Sequence, residues 1–242
     1  MKYLTIDTTT KVTALALAED GVLVGEGFLH TKKTHSERLV PMLDQLLNAA
    51  DWNLKDLDFL GVVRGPGSFT GIRIGIATAQ GLALVLNLPQ VGVLSLDALS
   101  WAGYGREEDI VVILDARKNE WYSAGYRWKN HGSSLNEREC LFKPCAIKPE
   151  VLCNFLKENN KVIFAGDAVK GAEQYLHDEL GDKAIILPHY QCLSRGAYAV
   201  CEVWKKVQAE GIVQNKSIEP YYIRVSEAEV NYLKKQAKIK NL

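Results

Sequence analysis

Charge of one sign is missing from this sequence. Its 29 lysines and arginines are matched by 29 aspartates and glutamates. A protein that grips a nucleic acid by itself carries an electropositive footprint, because phosphate contacts dominate such affinity. The one basic cluster is Lys234, Lys235, Lys238 and Lys240, close to the end, so any nucleic-acid contact is expected to be indirect. Cysteine is sparse and unpaired in pattern. Cys140, Cys145, Cys153, Cys192 and Cys201 are odd in number and form no Cys-x-x-Cys. That argues against a zinc or disulfide framework and for reduced, buried thiols in the cytoplasm. Long hydrophobic runs are also lacking. The stretch 74–86 is interrupted by Gly75, Thr78, Gln80 and Gly81 and falls short of the ~18 residues a membrane span needs. The start, 1–7, reads straight into a strand, so no leader is expected.

Catalytic patterns are missing too. His35 is followed four positions on by Leu39, where a second histidine would complete a metal pair on one helical face. His30, His131, His177 and His189 show no ligand spacing, and no metal site is expected. Ser68, Ser95 and Cys140 lie in no nucleophile-elbow pattern. There is no internal repeat and no low-complexity segment.

What is present is apolar content and alternating pattern. Hydrophobic residues make up 47% of 242, ample for two lobes of roughly 100 residues each. Strands are expected at 3–8, 13–19 and 22–30, the last two joined by the tight-turn pair Asp20-Gly21. A helix follows, opened by a Thr34–Glu37 capping box. It carries Leu39, Met42, Leu43, Leu46, Leu47 and Ala50 at helical spacing, with Pro41 inside it as a kink. A strand at 59–63, a turn at 65–67, a helix at 69–86, a strand at 91–93 and a short helix at 96–103 complete a first lobe over 1–104. A second lobe over 105–225 repeats the outline. It has strands at 110–114, 121–128, 139–142, 162–165 and 185–187 and helices at 149–158, 168–180 and 195–209. The last helix is expected to turn Ala197, Val200, Cys201, Trp204 and Val207 inward. A Lys-rich tail occupies 226–242. The order is that of an α/β protein with two ribonuclease-H-like lobes.

The most informative segment runs from Arg64 through Gly65, Pro66, Gly67, Ser68, Phe69, Thr70 and Gly71 to Gly75. A glycine-rich turn entering a helix can present amides to an anion. Yet the segment matches neither the Walker nor the dinucleotide spacing. A phosphate cradle and a structural turn capped by Ser68 both stay open. The helix behind it sets Gly71, Gly75, Ala79 and Ala83 on one smooth face and Ile72, Ile76 and Leu82 on another. A helix apolar nearly all round must be buried nearly all round. With the stripe on the preceding helix, this points to a subunit interface formed by Leu39, Met42, Leu43, Leu46, Gly71, Ile72, Gly75, Ile76 and Ala79. Cover by the second lobe is the alternative.

Asp7 at a strand end, followed by Thr8, Thr9 and Thr10, could hold magnesium or phosphate. Actin-like and Hsp70-like ATPases carry Asp-x-Gly-Thr on that hairpin, and here Thr9 stands at the glycine. Asp115 ends the first strand of the second lobe in the same way, and Gly166 sits where those proteins bind adenosine, without a second glycine. A vestigial nucleotide site is therefore expected at Asp7, Thr8, Thr9, Asp115 and Gly166.

Taken in order, Ile6-Asp7-Thr8-Thr9, the helix from His35 to Pro41, the block from Arg64 to Gly75, Asp115-Ala116-Arg117 and the segment from Glu219 to Arg224 resemble the signatures of bacterial TsaB proteins over about residues 1–225. The resemblance implies a two-lobed fold of the actin-like ATPase superfamily. It also implies a heterodimer with the paralogue TsaD, which holds the metal and the catalytic site, and a further ATPase, TsaE, joining the pair. That complex transfers threonylcarbamoyl to the tRNA adenosine beside the anticodon. With Leu39 in place of the second histidine of the TsaD motif, this chain is expected to be a non-catalytic scaffold with no cofactor of its own. Weak nucleotide binding, or nucleotide at the TsaD interface, is the most it would retain. It would meet tRNA only through the complex and have no membrane role, and both a self-dimer and a monomer stay open for the chain alone. The alternative is a stand-alone nucleotide-dependent enzyme of the same fold, resembling a small-molecule kinase. The wider family was described as glycoprotease-like, but no peptidase apparatus is found in this sequence.

Overall fold

Strands β1 (Lys2–Asp7), β2 (Val12–Glu19) and β3 (Val22–His30) form an antiparallel meander. Asp20 and Gly21 turn the β2–β3 hairpin at φ +48° and +81°, the left-handed pair that matches strand twist. The chain, described over residues 1–31, 34–129, 137–158, 160–213 and 217–224 of a computed structural model, then alternates helix and strand. Helix α1 (His35–Ala49), β4 (Phe59–Val63), α2 (Phe69–Leu86) and β5 (Gln90–Val93) follow. Strands β4 and β5 lie parallel to β1, giving the order β3-β2-β1-β4-β5. Helix α3 (Ser95–Leu99) leads to a second meander of β6 (Asp109–Asp115), β7 (Trp121–Trp128) and β8 (Arg138–Ile147). After α4 (Pro149–Leu156) come β9 (Val162–Ala165), α5 (Val169–Leu180) and β10 (Ala184–Ile186), then α6 (His189–Cys192) and α7 (Gly196–Glu210). The second sheet runs β10-β9-β6-β7-β8, the same connectivity as the first. The expected fold of two ribonuclease-H-like lobes is the one found.

Two sequence expectations change. The helix assigned to the second lobe, α7, packs across the first sheet and touches all five of its strands. It buries Ala199, Val200, Val203 and Val207 against Tyr3, Phe59, Val63, Val91 and Val93. Ala197, Cys201 and Trp204 are only half-buried, and Glu202 points inward instead. A helical stripe of small residues can be read one step round from its true face. Strands β1 and β4 are thus covered on both sides, which explains their continuous apolar runs. The chain also crosses the other way: Leu96 and Leu99 of α3 join the second core, while Ile218 returns to the first.

The second change is at the start of α1. Thr34 gives the helix no side-chain cap; its hydroxyl meets Ser36 Oγ at 3.1 Å. The ring of His35 holds this end in place. Its Nε2 lies 3.0 Å from the Thr10 carbonyl and its Nδ1 2.7 Å from Thr13 Oγ1. A carbonyl only accepts, so Nε2 carries the proton and Nδ1 accepts from Thr13.

Helix α2 is a longer apolar element than the interrupted run suggested. By length and composition alone it could cross a membrane. Here its Gly71, Ile72, Gly75, Ile76, Ala79 and Ala83 are buried in the first core. The tail at 226–242 lies outside the described residues.

Candidate functional site

Asp7, Thr8 and Thr9 are buried at the end of β1. Asp7 Oδ1 accepts the Thr9 amide at 2.8 Å and the Thr9 hydroxyl at 2.7 Å. Burial pushes the Asp7 carboxyl upward, against the pull of these hydrogen bonds. The glycine-rich turn lies directly on top. A Cβ on Gly67 would stand 2.2 Å from the Thr9 carbonyl oxygen, and one on Gly71 2.0 Å from that of Thr8. Neither could move aside, because the obstacle is backbone. Ser68 N–H donates to the Thr9 carbonyl at 2.6 Å. The Gly71 amide donates to Ser68 Oγ at 3.2 Å, and Thr8 Oγ1 donates to the Gly71 carbonyl at 2.6 Å. The structural turn capped by Ser68 is present in this segment. The glycines admit the β1–β2 turn, and the Ser68 and Gly71 amides are already spent.

The second hairpin is open to solvent. Asp115 is exposed. Its amide donates to Asp167 Oδ1 at 3.1 Å, and its own Oδ1 accepts from Arg117 N–H at 2.7 Å. Gly166, at φ +114°, lies so close to Ile113 that a Cβ would meet that carbonyl oxygen at 2.0 Å. Burial also raises the Asp167 carboxyl. Asp115 and Asp167 border a cleft of about 890 Å³ between the lobes, with Lys11 and His30 from the first lobe and Trp121, Lys170 and Tyr175 from the second. The five residues expected at a nucleotide site are therefore split. Asp115 reaches the cleft, while Asp7, Thr8, Thr9 and Gly166 do not line it. Among the described residues, no group of three or more His, Cys, Asp or Glu side chains is placed to hold a metal.

The residues expected at a partner interface face the other way. Leu39 is 1% exposed, Met42 7%, Leu43 5%, Ile72 1%, Ile76 4% and Ala79 0%. Gly71 and Gly75 are buried as well, and Leu46 packs against the same core. Together they close the chain's own first core with Leu4, Ile6, Leu15 and Leu60. The small-residue row of α2 accommodates the Thr8 turn, not a second helix: a Cβ on Gly75 would come within 2.4 Å of Thr8 Oγ1. A periodic stripe identifies the face turned to the sheet, so it cannot also mark the face turned away. The outward apolar surface consists of Leu84 at 84% exposure and Val85 at 83% on α2, with Val40 at 58% on α1. It could have been found as the apolar residues left over once the inner stripe is assigned.

Sequence reading also missed a buried charge cluster that ties the second sheet to α7. Arg138 on β8 grips Glu202 with two bonds of 2.7 and 2.9 Å and reaches Asp97 at 3.1 Å. Trp101 Nε1–H donates to Glu202 Oε2 at 2.8 Å. A glutamate in a helix ordinarily reads as a solvated position, so Glu202 gave no hint of this role.

Comparison with known proteins agrees with this architecture. The family model for TsaD, tRNA N6-adenosine threonylcarbamoyltransferase, matches residues 29–238. The tRNA threonylcarbamoyladenosine biosynthesis protein TsaB of Bacillus subtilis is 31% identical over 237 residues, covering 98% of this chain and all of the relative. Its Escherichia coli counterpart is 32% identical over 230 residues, covering 93% and 95%. A crystal structure from Pseudomonas aeruginosa, described as an uncharacterized protein with similarity to peptidase YeaZ, superposes with a TM-score of 0.76. It does so at 24% identity, over 92% of this chain and 99% of that one, a likeness of fold. With matches of this identity running nearly end to end in two bacteria, the chain belongs to the TsaB family of tRNA threonylcarbamoyladenosine biosynthesis proteins.

Proposed function

We propose that this chain takes part in threonylcarbamoyladenosine synthesis as a non-catalytic subunit that docks on the catalytic paralogue TsaD. The docking surface is the outer face of α2 with the adjoining edge of α1. The observation that carries this reading is the exposure of the apolar side chains Leu84 and Val85 on α2 and Val40 on α1, left uncovered by the chain's own core. Burying one such side chain stabilises an interface by about 1.5–3 kcal/mol. The buried Asp7 hairpin, with Oδ1 taken by the Thr9 amide and hydroxyl, supports a scaffold role over a catalytic one. On this reading TsaE joins through the complex and tRNA is met only there. The chain works in the cytoplasm without a metal or cofactor of its own, and copies of it pair through the same surface when TsaD is absent.

Leu84→Asp and Val85→Asp test the proposal. Calorimetric titration against TsaD is expected to show at least roughly tenfold weaker binding for each, about 1.4 kcal/mol, with an unchanged thermal melt. Unchanged affinity would place the interface elsewhere. The inter-lobe cleft with Asp115 and Asp167 favours a second reading, a stand-alone nucleotide-dependent enzyme. Tight binding of ATP and magnesium with turnover by the isolated chain would establish that reading instead.

A further inference from the structure

The turn between β6 and β7 is strained. Arg117, Lys118 and Asn119 hold φ values of +59°, +54° and +55° in succession. Side-chain-bearing residues visit this left-handed region singly, not in runs. Such a conformation persists only where its surroundings over-determine it. The turn and its flanks form part of the inter-lobe cleft, through Asn119 and through Asp115 and Trp121 on either side.

The last described residues reach this turn from the other lobe. Tyr221 N–H donates to the Arg64 carbonyl at 2.8 Å, placing the segment against the glycine-rich turn. Tyr222 stacks on Phe69 with ring centroids 4.8 Å apart, and its hydroxyl accepts from Arg73 Nε at 3.1 Å. Both partners belong to the first turns of α2. Two residues on, Arg224 crosses to the second lobe. It donates to the Ala116 carbonyl at 3.3 Å and forms an ion pair with Glu120. Ala116 and Glu120 bracket the strained residues and are joined by the Ala116 N–H to Glu120 carbonyl bond at 3.0 Å.

We propose that residues 217–224 act as a clasp that holds the strained 117–119 turn, and with it one wall of the inter-lobe cleft, in place from the amino-terminal end of α2. The clasp makes the cleft wall responsive to events at α2. A partner or ligand that displaces Tyr222 from Phe69 and Arg73 releases Arg224 and lets the turn relax to ordinary backbone. The inference stands on this geometry alone and does not depend on which partner α2 meets.

Hydrogen–deuterium exchange of the full chain tests it, because the Ala116, Arg117 and Glu120 amides are hydrogen-bonded and therefore protected. Arg224→Ala is expected to speed exchange at 115–121 by at least tenfold, while Arg224→Lys, which keeps the charge opposite Glu120, retains most of the protection. The discriminating variant is Arg73→Ala. It changes an exposed side chain in the first lobe, yet it is expected to speed exchange at 115–121 several-fold by freeing Tyr222. Exchange at 115–121 that is unchanged in Arg224→Ala would overturn the clasp. So would an Arg73→Ala effect confined to 217–223, which would reduce the segment to local packing. A melt within a degree or two of the parent shows that the variants are folded.

Discussion

At the scale of single residues, one imidazole fastens α1 to the β1–β2 turn. Burial draws the pKa of His35 below its ordinary value of 6.5, while the Thr10 carbonyl and the nearby Asp7 carboxylate oppose the shift. As pH falls, the unfolded chain takes up the proton first. The stabilisation from the neutral ring is therefore complete above about pH 6.5 and is lost as pH falls through that value toward the folded one. The stability gap between the parent and His35→Gln, measured by denaturant unfolding, is expected to narrow between about pH 7.5 and 5. A gap constant across that range would contradict the role given to the ring. The sequence marked His35 only by what it lacked, a partner histidine at position 39. Its bonds to Thr10 and Thr13 come from a strand hairpin more than twenty positions upstream, which no local pattern encodes. The glycines were legible as a turn but not in purpose. That Gly67 and Gly71 admit a neighbouring backbone becomes apparent only with β1 in place. In a helix, Ala is ordinarily favoured over Gly by about 1 kcal/mol, and at Gly71 contact with the Thr8 carbonyl reverses that preference.

At the scale of elements, helix positions and lengths followed closely from periodicity, whereas the faces were misassigned. On α1 and α2 the conspicuous stripe is the one that the sheet covers, and the exposed apolar surface is the remainder. Ala79 and Leu84 separate the two. Ala79 is fully buried, and a carboxylate placed there without a partner costs several kcal/mol. Ala79→Asp is expected to lower the thermal melt sharply, while Leu84→Asp, at an exposed position, leaves it in place. Identical melts would mean that the inner and outer faces have been exchanged. Helix α7 was misread for a related reason. Its apolar residues fit more than one stripe, and only the sheet beneath, with Tyr3 and Phe59 stacked 4.5 Å apart, decides which one is used.

For the whole molecule, the two-lobed α/β architecture was legible because strand order and chirality leave few ways to arrange meander-then-alternation twice. The contacts between the lobes were not, since they pair residues far apart in sequence. The Arg138–Glu202–Asp97 cluster is the main example, with the Arg138 and Glu202 side chains each 9% exposed. Removing one member of a buried pair leaves an unpaired charge and costs roughly 3–5 kcal/mol. Arg138→Ala is expected to lose stability in that range by chemical denaturation; a loss below about 1 kcal/mol would put the cluster among surface pairs. The crossing of α7 onto the first sheet also bears on how the protein is made. While the chain emerges from a ribosome, Tyr3, Phe59, Val63 and Val91 have no cover on the α7 side until 196–210 have left the exit tunnel. The first lobe is therefore completed only once α7 has been made. Until then one apolar face of that sheet stays uncovered on the nascent chain.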